Sequence, residues 1–257
     1  MGVEQDVTDD IFAYVSFSTG FQSAYYNIGS SAGTRPLEPV TIKAYEVGMK
    51  GDFLDNRLRV NTALFHYDLS NVVVDRLINT ISSQANAAES RVRGVDLDVT
   101  VVPIDDLTLT ASLSYTDPTY KKYENSIHYV PNPNGISWLV VSADDSGQQL
   151  QSTEKFAATT TLNYLIPTGI GEFSLTAAAN YRSGIHFDTQ GLNTQPKYTL
   201  VNGSVAWTAP NERFDVTLWG KNLTNEEVGD LFPGDTIMQY SVEAPRTYGI
   251  QFGYHWN

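Results

Sequence analysis

Cysteine is absent from the 257 residues, and Lys and Arg together number only 16 against 29 Asp and Glu. Without Cys there are no disulfides, no thiolate metal sites and no thiol nucleophiles. The net charge of −13 excludes the basic stripe that a nucleic-acid surface needs, so no nucleic-acid partner is expected. Also missing is any apolar run near the roughly 20 residues of a membrane helix. The opening "MGVEQDVTDD" has neither a basic n-region nor an apolar h-region, so it is no secretion signal. It reads as the start of a cut or partial sequence. Charged residues of both signs are scarce at 18%, whereas aromatic residues reach 12%, led by 15 Tyr.

What the sequence does have is alternation. In "RGVDLDVTVVPIDDLTLTASLSYTD", Val95, Leu97, Val99 and Val101 share one face, as do Leu107, Leu109, Ala111, Leu113 and Tyr115 after a short turn. Period two over such lengths means half-buried antiparallel strands. About ten are predicted, near 11–20, 42–53, 57–75, 91–102, 107–117, 154–165, 172–183, 198–208, 213–222 and 245–256. In the third, Leu58, Val60 and Leu64 sit on one parity and Phe65, Tyr67 and Leu69 on the other. Either a β-bulge near Ala63 restores the phase, or part of the strand rises above the apolar band.

The connections alternate without exception. Short turns fall at 54–56, 103–106, 166–171 and 209–212, and long loops at 21–41, 76–90, 118–153, 184–197 and 223–244. An up-and-down meander then collects all long loops at one end, the asymmetry of outer-membrane barrels. The polar faces point the same way. Thr108, Thr110, Ser112, Ser114 and Thr116, then Thr159, Thr161 and Asn163, then Gly249, Gln251 and Gly253 are small and uncharged. A water-facing sheet of a soluble protein carries Lys, Glu and Arg instead. Amphipathic rings cluster near strand ends: Tyr14, Tyr45, Tyr115, Tyr164, Tyr181, Trp207, Tyr248, Tyr254 and Trp256, as at a bilayer interface. The fold class expected is all-β, an up-and-down antiparallel transmembrane β-barrel, here about ten strands of a larger one.

Four ordered segments carry a resemblance: "FAYVSFSTGFQSA", "IKAYEVGMKGDFLDNRLRVNTALFHYDLSN", "RVRGVDLDV…LTLTASLSYTD" and "LVNGSVAWT…FDVTLWGKNLTNE…APRTYGIQFGYHW". The most specific pieces are Glu46-Val47-Gly48 with Lys50-Gly51, the Asn222-Leu223-Thr224-Asn225 corner, and Ala244-Pro245-Arg246. Taken together they resemble the C-terminal part of the TonB-dependent outer-membrane receptor barrel, over nearly the whole chain. The resemblance implies a ring of about 22 strands with an N-terminal plug, in the outer membrane of a Gram-negative bacterium. It implies TonB-dependent uptake of a scarce solute of the siderophore, cobalamin or glycan class. Its partners would be outer-membrane lipid, the solute, the TonB complex acting through the plug, and the barrel assembly machinery, which reads a closing aromatic; here Asn257 follows Trp256. On this reading residues 1–257 are the C-terminal portion of the barrel, without plug or TonB box.

No catalytic constellation stands out, so no enzyme, cofactor or metal is expected. His66, His128, His186 and His255 are scattered; His255 should face the bore near the short-turn rim. Asp96 and Asp98, at i and i+2, read as a hydrogen-bonded network on the wet face. Asp144-Asp145-Ser146-Gly147 lacks the spacing of a calcium loop. Loop aromatics beside polar groups suit stacking on a solute, and Tyr123, Trp138, Phe232 and Tyr240 are the candidate ligand contacts; packing of the loops on each other explains them equally well. Two rival readings are a self-contained small outer-membrane barrel (pore, adhesin or enzyme) and a soluble β-sandwich binding module, whose apolar faces would stack.

Overall fold

The computed structural model describes residues 1–26, 36–78, 81–232 and 239–256, with side chains throughout except at 75–78, 81–83, 87, 230–232 and 239–240. Its main body is one sheet of eleven strands: β1 (Gly2–Thr8), β2 (Ile11–Gln22), β3 (Val40–Phe53), β4 (Leu58–Ile78), β5 (Ile81–Ile104), β6 (Leu107–Lys122), β9 (Phe156–Thr168), β10 (Gly171–Arg182), β13 (Tyr198–Thr208), β14 (Phe214–Lys221) and β17 (Thr247–Tyr254). They pair in chain order and every pairing is antiparallel. Three hairpins ride in the connections: β7 (Ser126–Pro131) with β8 (Trp138–Ala143), β11 (Ile185–His186) with β12 (Thr194–Gln195), and β15 (Gly229–Phe232) with β16 (Gln239–Val242). The sheet is open, with β1 and β17 as its edges.

Eleven strands are one more than the sequence pattern predicts, because residues 2–8 pair with β2. The stretch expected to loop over 76–90 is also strand: β4 and β5 continue their pairing to Ile78↔Ile81, past register shifts between Leu69 and Val73. Asn71, at φ 60°, sits in that irregularity, the left-handed conformation Asn tolerates. The connection between β4 and β5 thus shrinks to residues 79–80 and breaks the predicted alternation, but the antiparallel order still puts this extended hairpin at the same end as the long connections after β2, β6, β10 and β14.

The third predicted strand needs no bulge at Ala63. Its pairing with β3 runs unbroken from Phe53↔Leu58 to Thr41↔Ser70. Phe65 and Tyr67 therefore lie on the polar face, stacked at 5.0 Å. The apolar face ends at Leu64, above which it carries His66 and Asp68. The strand rises out of the apolar band.

Exposure follows the faces in reverse of a soluble protein. The apolar rows are open: Val15 57%, Leu64 56%, Leu218 54% and Ile250 53%. Among the described residues the buried apolar side chains are Leu37, Val74, Ala88, Tyr120, Tyr123, Ala209 and Val228, none of them in those rows. Among the described residues no second sheet covers the apolar face, which removes the sandwich reading. Between Tyr115 and Leu107 the apolar stretch of β6 covers about 26 Å of strand at ~3.3 Å per residue. At a tilt near 40° that is roughly 20 Å of height, close to the apolar band of a membrane barrel. Phe17, Tyr45, Tyr115, Phe156 and Tyr181 edge it toward the loops. Phe53, Tyr164, Phe173, Trp207, Phe214 and Tyr254 edge it toward the turns. Tyr14 departs from the predicted belt and faces the polar side.

Two glycines let aromatic rings lie flat on that polar side. A Cβ on Gly48 would fall 2.4 Å from the Tyr14 ring, and one on Gly94 would fall 2.2 Å from the Tyr115 carbonyl oxygen and 2.6 Å from the Phe65 ring. A methyl at Gly94 meets backbone, which cannot swing aside. Gly94→Ala is expected to destabilise the sheet by about 1–3 kcal/mol, whereas Gly169→Ala, with nothing within 4 Å of its Cβ, leaves stability nearly unchanged. Urea unfolding in detergent micelles compares the two.

Candidate functional site

The polar face is held by short bonds between neighbouring strands. Tyr14 Oη donates to Glu46 Oε1 at 2.6 Å. Ser114 donates to Asp96 at 2.6 Å and Ser112 to Asp98 at 2.6 Å, so the two aspartates form the network expected of them. Farther round, Thr159 meets Asn180 at 3.0 Å and Thr176 meets Asn163 at 3.1 Å. His255 lies 2.8 Å from Asp215 at the short-turn rim. The Ser, Thr, Asn and Asp side chains are short enough to reach only their cross-strand neighbours, which keeps this part of the wall thin.

Where β14 leaves the sheet, the Asn-Leu-Thr-Asn corner turns the chain. Asn222 and Asn225 take φ of 49° and 57°. Asn222 accepts from Glu226 N at 2.9 Å and donates to the Glu226 carbonyl at 2.9 Å. Leu223 lies against Gly220, where a Cβ would fall 2.6 Å from its methyl, and Thr224 Oγ1 donates to the Thr199 carbonyl at 2.7 Å. The motif is thus a structural corner that launches the last long connection.

At the loop end a cavity of about 470 Å³ opens on the polar side, lined by Val92, Thr116 and Pro118 of the sheet, Ser152, Thr153 and Glu154 ahead of β9, and Ile185. Tyr67 adjoins it, since Val92 is its cross-strand partner. Arg182 donates to Glu154 beside it. Hydroxyls and an ion pair thus meet at the mouth beside the Tyr67 ring, a set able to hold a polar solute.

Around the mouth the connections are fastened together. Val74, Ala88, Tyr120 and Tyr123 form a small buried cluster. Gln190 exchanges two bonds with the Tyr129 backbone, at 2.8 and 3.2 Å, fastening the β7–β8 hairpin to the 183–197 connection. Buried Gln195 accepts from Gly229 N at 3.1 Å and donates to the Glu227 carbonyl at 3.3 Å, fastening that connection to the next. Asp145, 3% exposed, is paired to His128 at 2.9 Å. The Ser146 hydroxyl, then its backbone amide, hold the Asp144 carboxyl below the usual carboxylate range. Both loop carboxylates are engaged by their own loop.

The predicted ligand contacts separate. Tyr123 is 4% exposed, its ring 5.0 Å from Tyr120; it belongs to the core of the loops. Trp138 is 61% exposed at the start of β8. Phe232 and Tyr240 lie on the β15–β16 hairpin, where they oppose Gln239 and Leu231; their side chains lie outside the described residues. The mouth cavity had no local signal in the sequence, because its lining comes from distant segments. Among the described residues no group of three or more His, Asp or Glu is placed to hold a metal ion.

An open wall with one apolar and one hydroxyl-lined face, and loops at one end, defines a piece of membrane β-barrel. Residues 2–223 match the family described as "TonB dependent receptor-like, beta-barrel", and the chain belongs to that family, whose members are outer-membrane proteins of Gram-negative bacteria. It is 24% identical over 254 residues to the "Probable TonB-dependent siderophore receptor PiuA" of Acinetobacter baumannii, covering 95% of this chain and 31% of that receptor. It is 23% identical over 195 residues to the ferrioxamine B receptor of Salmonella typhimurium, covering 76% of this chain and 24% of that one. The crystal structure of the ferric yersiniabactin uptake receptor FyuA from Yersinia pestis superposes with a TM-score of 0.76 at 18% identity, over 98% of this chain and 36% of that one. The chain therefore spans about a third or less of the receptors it resembles.

Removing the Gln195 tether is expected to free the loop beyond it. In Gln195→Ala the Gly229 amide loses its acceptor, and its hydrogen exchange should quicken about 5- to 30-fold for a lost bond worth ~1–2 kcal/mol. Exchange at the amides of β10 serves as the internal control and stays unchanged.

Proposed function

We propose that this chain forms part of the wall of a TonB-dependent receptor that takes up a metal–siderophore complex across the outer membrane. In this reading residues 1–257 are the C-terminal portion of the barrel. The apolar face meets lipid, the hydroxyl-lined face meets an aqueous bore, and the long connections face outward. The observation that carries it is the inversion of exposure: open apolar rows on one side, hydrogen-bonded small polar groups on the other. The named functions of the relatives support the siderophore class over cobalamin or glycan. The chain supplies no catalytic step. Uptake draws on a plug, the TonB complex and, for insertion, the assembly machinery, none of which this wall replaces.

The mouth cavity and the exposed Trp138 are the surfaces a solute would meet first, so the proposal shifts weight from Tyr123 to Trp138 among the predicted contacts. Tyr240 is retained for test.

Two measurements check the reading. Val99→Arg, near mid-height on the apolar face, should cost about 2–4 kcal/mol in micelles if that face meets hydrocarbon. Thr110→Lys, on the polar face, should cost under about 1 kcal/mol; equal costs would put the apolar face elsewhere. In cells making the receptor that carries this sequence, uptake of radioactive iron from ferrioxamine B and a ferric pyoverdine should stop when TonB is deleted. Trp138→Ala and Tyr240→Ala should weaken binding of whichever complex is taken up. Uptake that persists without TonB would favour a self-contained passive pore.

A further inference from the structure

The sequence holds two Asn-Gly pairs, Asn134-Gly135 and Asn202-Gly203. Both present the same chemistry: a side-chain amide carbon beside a peptide nitrogen that no neighbouring Cβ shields. Attack of that nitrogen on the amide carbon needs a backbone free to turn and a side chain free to swing. The fold grants both to one pair and neither to the other. Asn202 and Gly203 lie inside β13, where Gly203 faces Ala177 of β10 on one side and Gly220 of β14 on the other. Asn202 Oδ1 also accepts from Asn222 N at 2.9 Å. Cyclisation there would break two strand pairings together.

Asn134 and Gly135 stand at the tip of the β7–β8 hairpin, both exposed, next to Ile136, which is fully exposed. Asn132 to Gly135 have the Asn-Pro-x-Gly make-up of a type I turn, closed by Gly135 N donating to the Asn132 carbonyl. At 3.3 Å that bond is longer than the usual ~2.9 Å. The other bonds of the tip run through Asn132. It donates to the Ser137 carbonyl and to Ser137 Oγ, each at 3.0 Å, and its Oδ1 accepts from Asn134 N at 2.9 Å. The Asn134 side-chain amide makes no hydrogen bond among the described residues. A Cβ on Gly135 would meet nothing nearer than Asn132 Nδ2, at 3.7 Å, so the nitrogen is open to approach.

We propose that Asn134 is a site of spontaneous deamidation in the folded protein, and that Asn202 is not. The Gly135 nitrogen bonds to Asn134 Cγ, the Cγ–Nδ2 bond breaks, and ammonia leaves with the proton that the attacking nitrogen gives up. Water then opens the imide ring at either carbonyl and leaves an aspartyl or an isoaspartyl residue. Each product adds a negative charge to the hairpin that carries Trp138, and the isoaspartyl product also adds a carbon to its backbone. Time in water alone changes this hairpin.

The test holds the full chain, folded in dodecyl maltoside micelles, in mildly alkaline buffer and follows both asparagines by peptide mapping with mass spectrometry. Asn134 should convert on the order of a hundredfold faster than Asn202, because a hairpin tip opens at almost no cost and a central strand does not. Aspartyl and isoaspartyl products should separate by chromatography. In urea the two sites should convert at similar rates. Equal rates in the folded chain, or an intact Asn134, overturn the proposal. So does a ratio that urea leaves unchanged, which would trace the difference to neighbouring residues instead of the fold. Gly135→Ala puts a methyl beside the nitrogen, has room for it in the folded hairpin, and should nearly abolish conversion at Asn134. Unchanged conversion in that variant, or the absence of an isoaspartyl product, would mean direct hydrolysis of the side-chain amide and overturns the cyclic route.

Discussion

Backbone hydrogen bonding between neighbouring strands is the constraint from which the rest follows. A wall bordered by hydrocarbon has no water to satisfy its N–H and C=O groups, so each strand must take its partners from the strands beside it. The described sheet obeys this throughout: eleven strands pair in sequence order, without crossover. Once pairing is fixed by neighbours, side chains are free to specialise by parity. One parity becomes apolar and the other polar, with no enclosed core required. The buried apolar residues lie instead in the loop-end extensions of β4, β5 and β6 and in the connections.

Parity also explains the chemistry of the polar side. Hydroxyls on β6 reach carboxylates on β5 across one strand spacing, and Tyr14 reaches Glu46 in the same way. Longer side chains would fill the space that a solute path needs. Several rings on this side lie down on a glycine next door, as Tyr14 does on Gly48, Phe65 on Gly94 and Trp219 on Gly249. The glycines of the EVG and RGVD segments are therefore seats for neighbouring aromatics.

Most of the fold was legible because period-two alternation is a local property that survives without tertiary information. Residues 2–8 hid their strand: Val3 and Val7 are the only large apolar residues among them, interleaved with Glu4 and Asp6. The pairing of 81–90 hid for a similar reason, since Ser82, Ser83, Gln84 and Asn86 have turn-like composition and their partners Leu77, Arg76, Asp75 and Val73 lie on β4. Tyr14 was ambiguous because both parities of "FAYVSF" carry large side chains. The candidate site was less legible. Tyr123 and Trp138 look alike in sequence, as loop aromatics among polar residues, and only packing against Tyr120 and Val74 separates a core ring from an open one. The mouth cavity draws on residues from 92 to 185, a distance that no local pattern spans.

The glutamine tethers make the last three long connections a chain of dependents. Gln190 reaches back to Tyr129, and Gln195 reaches forward to Glu227 and Gly229. Transplanting any one of these loops into a related receptor would strand its neighbours' partners and spoil three conformations at once. Exchange of specificity between relatives, by design or by recombination, is therefore expected to move residues 118 through 246 as a single cassette.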